Sequence, residues 1–156
     1  MSIYCRSVKT DALEELPLFS GLRRRHLDLI ARHADQVKLD AGAVLARRGR
    51  LAREFAIVVD GSARAVRDGG SAAYLGAGDF FGHRSLMDTK PQATTVIAET
   101  PITAMVIEAR SFDYLVLAIP ELERRLLAAT RGEAPHHTSA SATSRICIGR
   151  FCISRS

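Results

Sequence analysis

Between Val37 and Ile107 the apolar residues come in short stretches: Val37 to Leu39, Ala43 to Ala46, Phe55 to Val59, Ala63 to Val66, Ala72 to Leu75, Thr94 to Ala98 and Ile102 to Ile107. Many of the breaks are built of turn-forming residues, Asp40-Ala-Gly42, Asp60-Gly61, Asp68-Gly69-Gly70 and Gly76-Ala-Gly78. This rhythm predicts many short antiparallel strands closing into a barrel or sandwich. Asp68-Gly69-Gly70 is the strongest hairpin signal, because glycine tolerates the positive φ that tight hairpin turns require.

Helical spacing brackets the strands. Ser20-Gly21 precedes Leu22, Leu27, Ile30, Ala31 and Ala34, an apolar stripe near the helical period, with Arg23, Arg24, Arg25, Asp28 and Arg32 mostly on the other side. An amphipathic helix with a solvated arginine face is expected there. After the strands, Ser111 to Ile119 and Pro120 to Thr130 predict two helices, the first capped by Ser111 and the second opened by Pro120. From Arg131 the sequence RGEAPHHTSASATS is small, polar and aperiodic, a linker composition. The expected organisation is an N-terminal extension over residues 1–12, one domain over 13–130 and a disordered tail over 131–156. Arg145 to Ser156, where basic, apolar and thiol residues alternate, is read as part of that tail.

Composition narrows the function. A chain of 156 residues suits one core, and it holds no apolar run near the roughly 18 residues of a membrane span. No signal-peptide stretch opens it, so a cytoplasmic protein is expected. Cys5, Cys147 and Cys152 are odd in number and lie outside the strand region; they are read as free thiols, not as a disulfide framework or a zinc site. The net charge of +5 splits unevenly: residues 1–130 carry 18 basic and 16 acidic side chains, and residues 131–156 carry four arginines against Glu133. More than half of the excess thus sits in the tail, which argues against direct DNA reading. His83 is the one histidine among the strands, and no nucleophile elbow or Walker loop is present, so neither an enzyme nor a required metal or cofactor is expected.

The strands are interrupted by Gly78-Asp-Phe-Phe-Gly-His-Arg-Ser-Leu-Met87, which predicts one short helix before Asp88-Thr-Lys-Pro91 turns into the strand from Thr94. A helix opened by Gly82 presents backbone N–H groups with no side chain in the way, a setting that suits a phosphate.

The order of these pieces resembles the cyclic nucleotide-binding domain family, found in catabolite activator-type regulators, protein kinase A regulatory subunits and nucleotide-gated channels. The resemblance covers roughly residues 13 to 130. It rests on Pro17-Leu-Phe-Ser-Gly-Leu22, Leu39-Asp-Ala-Gly42, Phe55-Ala-Ile-Val-Val-Asp-Gly61, Gly76-Ala-Gly-Asp-Phe-Phe-Gly82 and the Pro-x-Ala-Thr-Thr-Val segment from Pro91 to Val96. It implies a mainly β fold, an antiparallel β-roll of the jelly-roll type with an N-terminal helix and C-terminal helices. It also implies a regulatory domain with cyclic AMP or cyclic GMP as the candidate ligand, held by Phe81, Gly82, His83, Arg84, Ser85, Gln92 and Ala93.

Two positions depart from the family pattern. Where the family places a Glu that accepts the ribose hydroxyl stands His83, and where it places an Arg that pairs with the cyclic phosphate stands Gln92. Two hydrogen bonds to charged groups are worth on the order of 3 to 6 kcal/mol together, about 10² to 10⁴ in dissociation constant. The expectation is therefore weakened or lost binding, with Arg84 and Lys90 as candidate substitute cations. Two other readings stand beside it. One is a protein-interaction or dimerisation module using the last helix, with Leu122, Leu126 and Leu127 either docking a partner or packing on the core. The other is a fragment of a catabolite activator-like transcription regulator, although residues 131–156 show no recognition-helix pattern.

Overall fold

The computed structural model describes residues 6–130, 145–148 and 151–154. A short strand, β1 (Arg6–Ser7), and a helical turn, α1 (Thr10–Glu14), lead to α2 (Arg24–His33). There follow β2 (Ala34–Leu39), β3 (Val44–Ala46), β4 (Glu54–Asp60), β5 (Ala63–Val66), a 3-10 turn over Asp68–Gly70 and β6 (Ala72–Leu75). Next come β7 (Phe80–Phe81), α3 (His83–Asp88), β8 (Thr95–Ala98) and β9 (Ile102–Glu108). Two helices, α4 (Ala109–Ala118) and α5 (Pro120–Thr130), close the domain, and β10 (Arg145–Ile148) and β11 (Phe151–Ser154) lie beyond it.

The strands form two antiparallel sheets, ordered β1-β2-β9-β4-β7 and β10-β11-β6-β5-β8-β3. This is the antiparallel roll with flanking helices that the sequence predicts. The run Phe55-Ala-Ile-Val58 lacks polar alternation because β4 is buried on both faces. Phe55 and Ile57 point into the cluster shared with the helices, while Ala56 and Val58 point into the cluster inside the roll. The same split divides β7: Phe80 joins the helical cluster and Phe81 the roll interior. Two residues thus suffice to anchor the segment before α3 to both cores.

The helical layer is clamped to the chain that precedes it. Arg125 of α5 donates from one terminal nitrogen to the carbonyls of Leu18 and Ser20, at 2.8 Å each, and from Nε to Glu121 at 3.0 Å. Leu18 and Phe19, held beneath this clamp, are fully buried.

Several expectations shift. The helix expected from Ser20 begins at Arg24, because Leu16 to Leu22 is spent on turns in which the Leu16 carbonyl accepts from Phe19 and Ser20. Ser111 does not cap α4; the helix starts two residues earlier, with Glu108 at the cap position. Leu122 and Leu126 are buried in the core, so of the three leucines offered for docking only Leu127 is exposed. At the N-terminus Val8 and Leu13 are core residues, and β1 pairs with β2, so the folded unit reaches back into the expected extension. At the other end β10 and β11 pair with each other, and β11 meets β6 at Cys152 and Tyr74, where a tail was expected. The rest of that expected tail, residues 131–144, 149–150 and 155–156, lies outside the described residues.

Candidate functional site: the cleft at α3

The segment that carries the predicted site starts where β7 leaves β4. Because Ala56 pairs with Phe81, the next residue, Gly82, lies against the β4 backbone, and a Cβ there would stand 2.7 Å from the Glu54 carbonyl oxygen. Gly82 also takes φ +92, which side-chain-bearing residues rarely adopt. Both conditions require glycine, and the turn they create launches α3.

Six of the seven predicted residues line one cleft of about 230 Å³: Gly82, His83, Arg84, Ser85, Gln92 and Ala93. Phe81 does not; its ring is buried in the roll interior and forms part of a neighbouring cleft. His83 is only 1% exposed, and its ring meets Phe80 edge-on at 4.9 Å between centroids. Through Phe80, Phe55 and Phe112, successive ring contacts of 5.5 and 5.2 Å continue to α4. Arg84 stands exposed at the rim.

Ser85 has a structural task. Its hydroxyl donates to the Lys90 carbonyl at 2.5 Å and accepts the Ala52 backbone N–H at 2.9 Å. The turn after α3 is thereby fastened to the loop between β3 and β4. Gln92 is fastened to the same loop: its N–H donates to the Arg50 carbonyl and its carbonyl accepts from Gly49, both at 2.9 Å.

Three further residues enter the cleft. Lys90 and Asp88 come with the turn after α3, and Arg67 arrives from the far end of β5. Arg67 precedes the Asp68-Gly69-Gly70 hairpin, and only the pairing of β5 with β8 brings it beside the α3 segment. Nothing local in the sequence marks it. Gln92 also lines a second cleft of about 670 Å³, with Arg47, Arg50, Arg53, Glu54 and Phe81 among its walls. There burial pushes the Glu54 carboxyl above its ordinary value, and the Glu108 carboxylate paired across the strands pushes it further. Among the described residues no group of His, Cys, Asp and Glu is arranged to hold a metal ion, and no helix is long and apolar enough to cross a membrane.

This arrangement can receive a small anion. Cations line the rim, and the floor combines glycine backbone with a buried imidazole.

Comparison with known proteins gives a consistent picture. The sequence pattern defining the family described as "Cyclic nucleotide-binding domain" matches residues 36–118. A cAMP-dependent protein kinase regulatory subunit from Aspergillus fumigatus is 32% identical over 116 residues, covering 72% of this chain and 28% of the relative. The chain therefore spans less than a third of that relative's length. Among solved structures, the regulatory domain of Toxoplasma gondii PKA with cAMP superposes with a TM-score of 0.69 at 26% identity, covering 80% of this chain and 48% of that one. The catabolite activator protein of Thermus thermophilus gives 0.67 at 25% identity, over 74% of this chain and 57% of that one.

Proposed function

The chain belongs to the cyclic nucleotide-binding domain family, and from that premise we propose that it is a non-catalytic regulatory domain whose α3 cleft binds cyclic AMP or cyclic GMP weakly or not at all. The observation that carries this reading is the pair His83 and Gln92 in the cleft wall. A family carboxylate would accept a ribose hydroxyl with full negative charge; the His83 imidazole is instead buried edge-on against Phe80. At the phosphate position Gln92 offers an amide dipole without a positive charge. Arg84 and Lys90 are exposed at the rim, where water screens them, so they replace a buried guanidinium only in part.

The test is calorimetric titration of the full chain with cyclic AMP and cyclic GMP. Dissociation constants well above micromolar are expected, and submicromolar binding of either nucleotide overturns the reading. Gln92→Arg restores a charged partner and is expected to tighten binding by about tenfold to a hundredfold. An unchanged affinity would place the phosphate elsewhere.

A second reading, an interaction module, draws on Tyr114 and Leu117, large apolar side chains exposed on α4. Light scattering after size exclusion, with thermal melts in the presence and absence of cyclic nucleotide, separates the two.

A further inference from the structure

We propose that the two clefts meeting at Gln92 form one binding site for a small ligand carrying two or more linked phosphates. The loop between β3 and β4 places Arg47, Arg48, Arg50 and Arg53 within seven residues. Such a loop would ordinarily spread its charges by moving. Here it is tied down. The Arg48 N–H donates to Thr95 Oγ1 at 3.1 Å, and the Ala52 N–H donates to Ser85 Oγ at 2.9 Å. Between them Gly49 and Arg50 are hydrogen-bonded to the Gln92 backbone. The Arg48 guanidinium is consumed by an ion pair with Asp68.

The other arginines of the loop, Arg47, Arg50 and Arg53, make no ion pair among the described residues. Arg47, Arg50 and Arg53 line the larger cleft, while Arg67, Arg84 and Lys90 line the smaller. Among the described residues none of these six makes an ion pair, and the only carboxylates lining the two clefts are Glu54 and Asp88. Six cations against two anions on a fixed frame leave a net positive field, which an anionic ligand relieves. Guanidinium forks match phosphate oxygens in geometry as well as in charge.

A cyclic monophosphate carries one phosphodiester charge, whereas linked phosphates carry several, enough to engage cations of both clefts that meet at Gln92. The larger cleft, about 670 Å³, lies within the range of roughly 300–1,000 Å³ typical of small-molecule sites, which favours a small ligand over a macromolecule. This inference rests on the β3–β4 loop and goes beyond the proposed function, so the two fail separately: tight cyclic AMP binding overturns only the latter.

The experiment titrates inorganic tripolyphosphate and ATP into the full chain, with cyclic AMP as control. Both polyphosphates are expected to bind, with affinity falling as salt rises. The double variant Arg50→Gln/Arg53→Gln is expected to weaken both by about tenfold or more while leaving the cyclic AMP titration unchanged. Arg47, Arg50 and Arg53 are all exposed, so the melting curve of the double variant should match the parent; if it does not fold, Arg47→Gln, which lines the larger cleft and not the α3 cleft, takes its place with the same expectation. Absence of tripolyphosphate binding, or equal binding by the variant, overturns the proposal. So does displacement of ATP by a polyglutamate peptide or duplex DNA that binds more tightly through the same arginines, since that assigns the surface to a macromolecule.

Discussion

Replacing Gly82 by alanine tests whether β4 and the start of α3 are as close as the geometry requires. Two costs add. Holding a residue with a Cβ at φ +92 costs about 1–2 kcal/mol. The new Cβ would also lie 2.7 Å from the Glu54 carbonyl oxygen, a backbone atom that cannot rotate away, and such overpacking costs about 1–3 kcal/mol. Gly82→Ala should therefore lose about 2–5 kcal/mol, close to half of a typical domain's stability at the upper end. Gly69→Ala is the control: φ is +84, but nothing lies within 4 Å of the added atom, so only the backbone cost of about 1–2 kcal/mol applies. In thermal melts a chain of this size shifts about 2–4 °C per kcal/mol, giving roughly 4–20 °C for Gly82→Ala. If the two variants melt together, the close approach of β4 is wrong, and with it the placement of the cleft floor.

Arg125→Gln removes the terminal nitrogen that donates to the Leu18 and Ser20 carbonyls and the Nε that donates to Glu121, and should cost about 1–3 kcal/mol in urea unfolding; Arg125→Lys, with a single nitrogen, should recover only part of it, and full recovery would reduce the clamp to simple charge. Leu126→Ala empties a fully buried position and should cost about 2–5 kcal/mol, whereas Leu117→Ala should stay within about 0.5 kcal/mol; the opposite order would return Leu126 to the surface. Glu54 binds its proton more tightly in the folded than in the unfolded chain. The charged form therefore costs stability, a cost absent well below pH 4.5 that grows as pH rises through the raised folded value. Glu54→Gln should raise the melting temperature at neutral pH but not well below pH 4.5, and a gain of equal size at both would refute the electrostatic origin.

The strand positions were legible because each strand carries its own punctuation. Ala63 to Val66 and Ala72 to Leu75 coincide with β5 and β6, since Asp68-Gly69-Gly70 both ends one and starts the other. Where the determinant is a distant partner, local reading fails. β7 is two residues long, too short for any period, and exists because Ala56 and Ile57 pair with it. Ser20 has the chemistry of a helix cap, yet its carbonyl serves Arg125, and α2 begins later. β10 and β11 follow a weak alternation that a polar linker composition upstream made look like tail.

The cleft divides along the same line. His83 and Gln92 stand out in the sequence because the family resemblance implies a carboxylate and a guanidinium where they bring an imidazole and an amide, and both line one cleft. Ser85 lines the same cleft, and its hydroxyl fastens Ala52 to Lys90. The positive charge around the cleft could not be found this way, because Arg67 and the loop arginines approach from β5 and from the β3–β4 connection, and only sheet pairing brings them together. A cleft whose wall carries Gln92 is thus lined by cations that no single segment reveals.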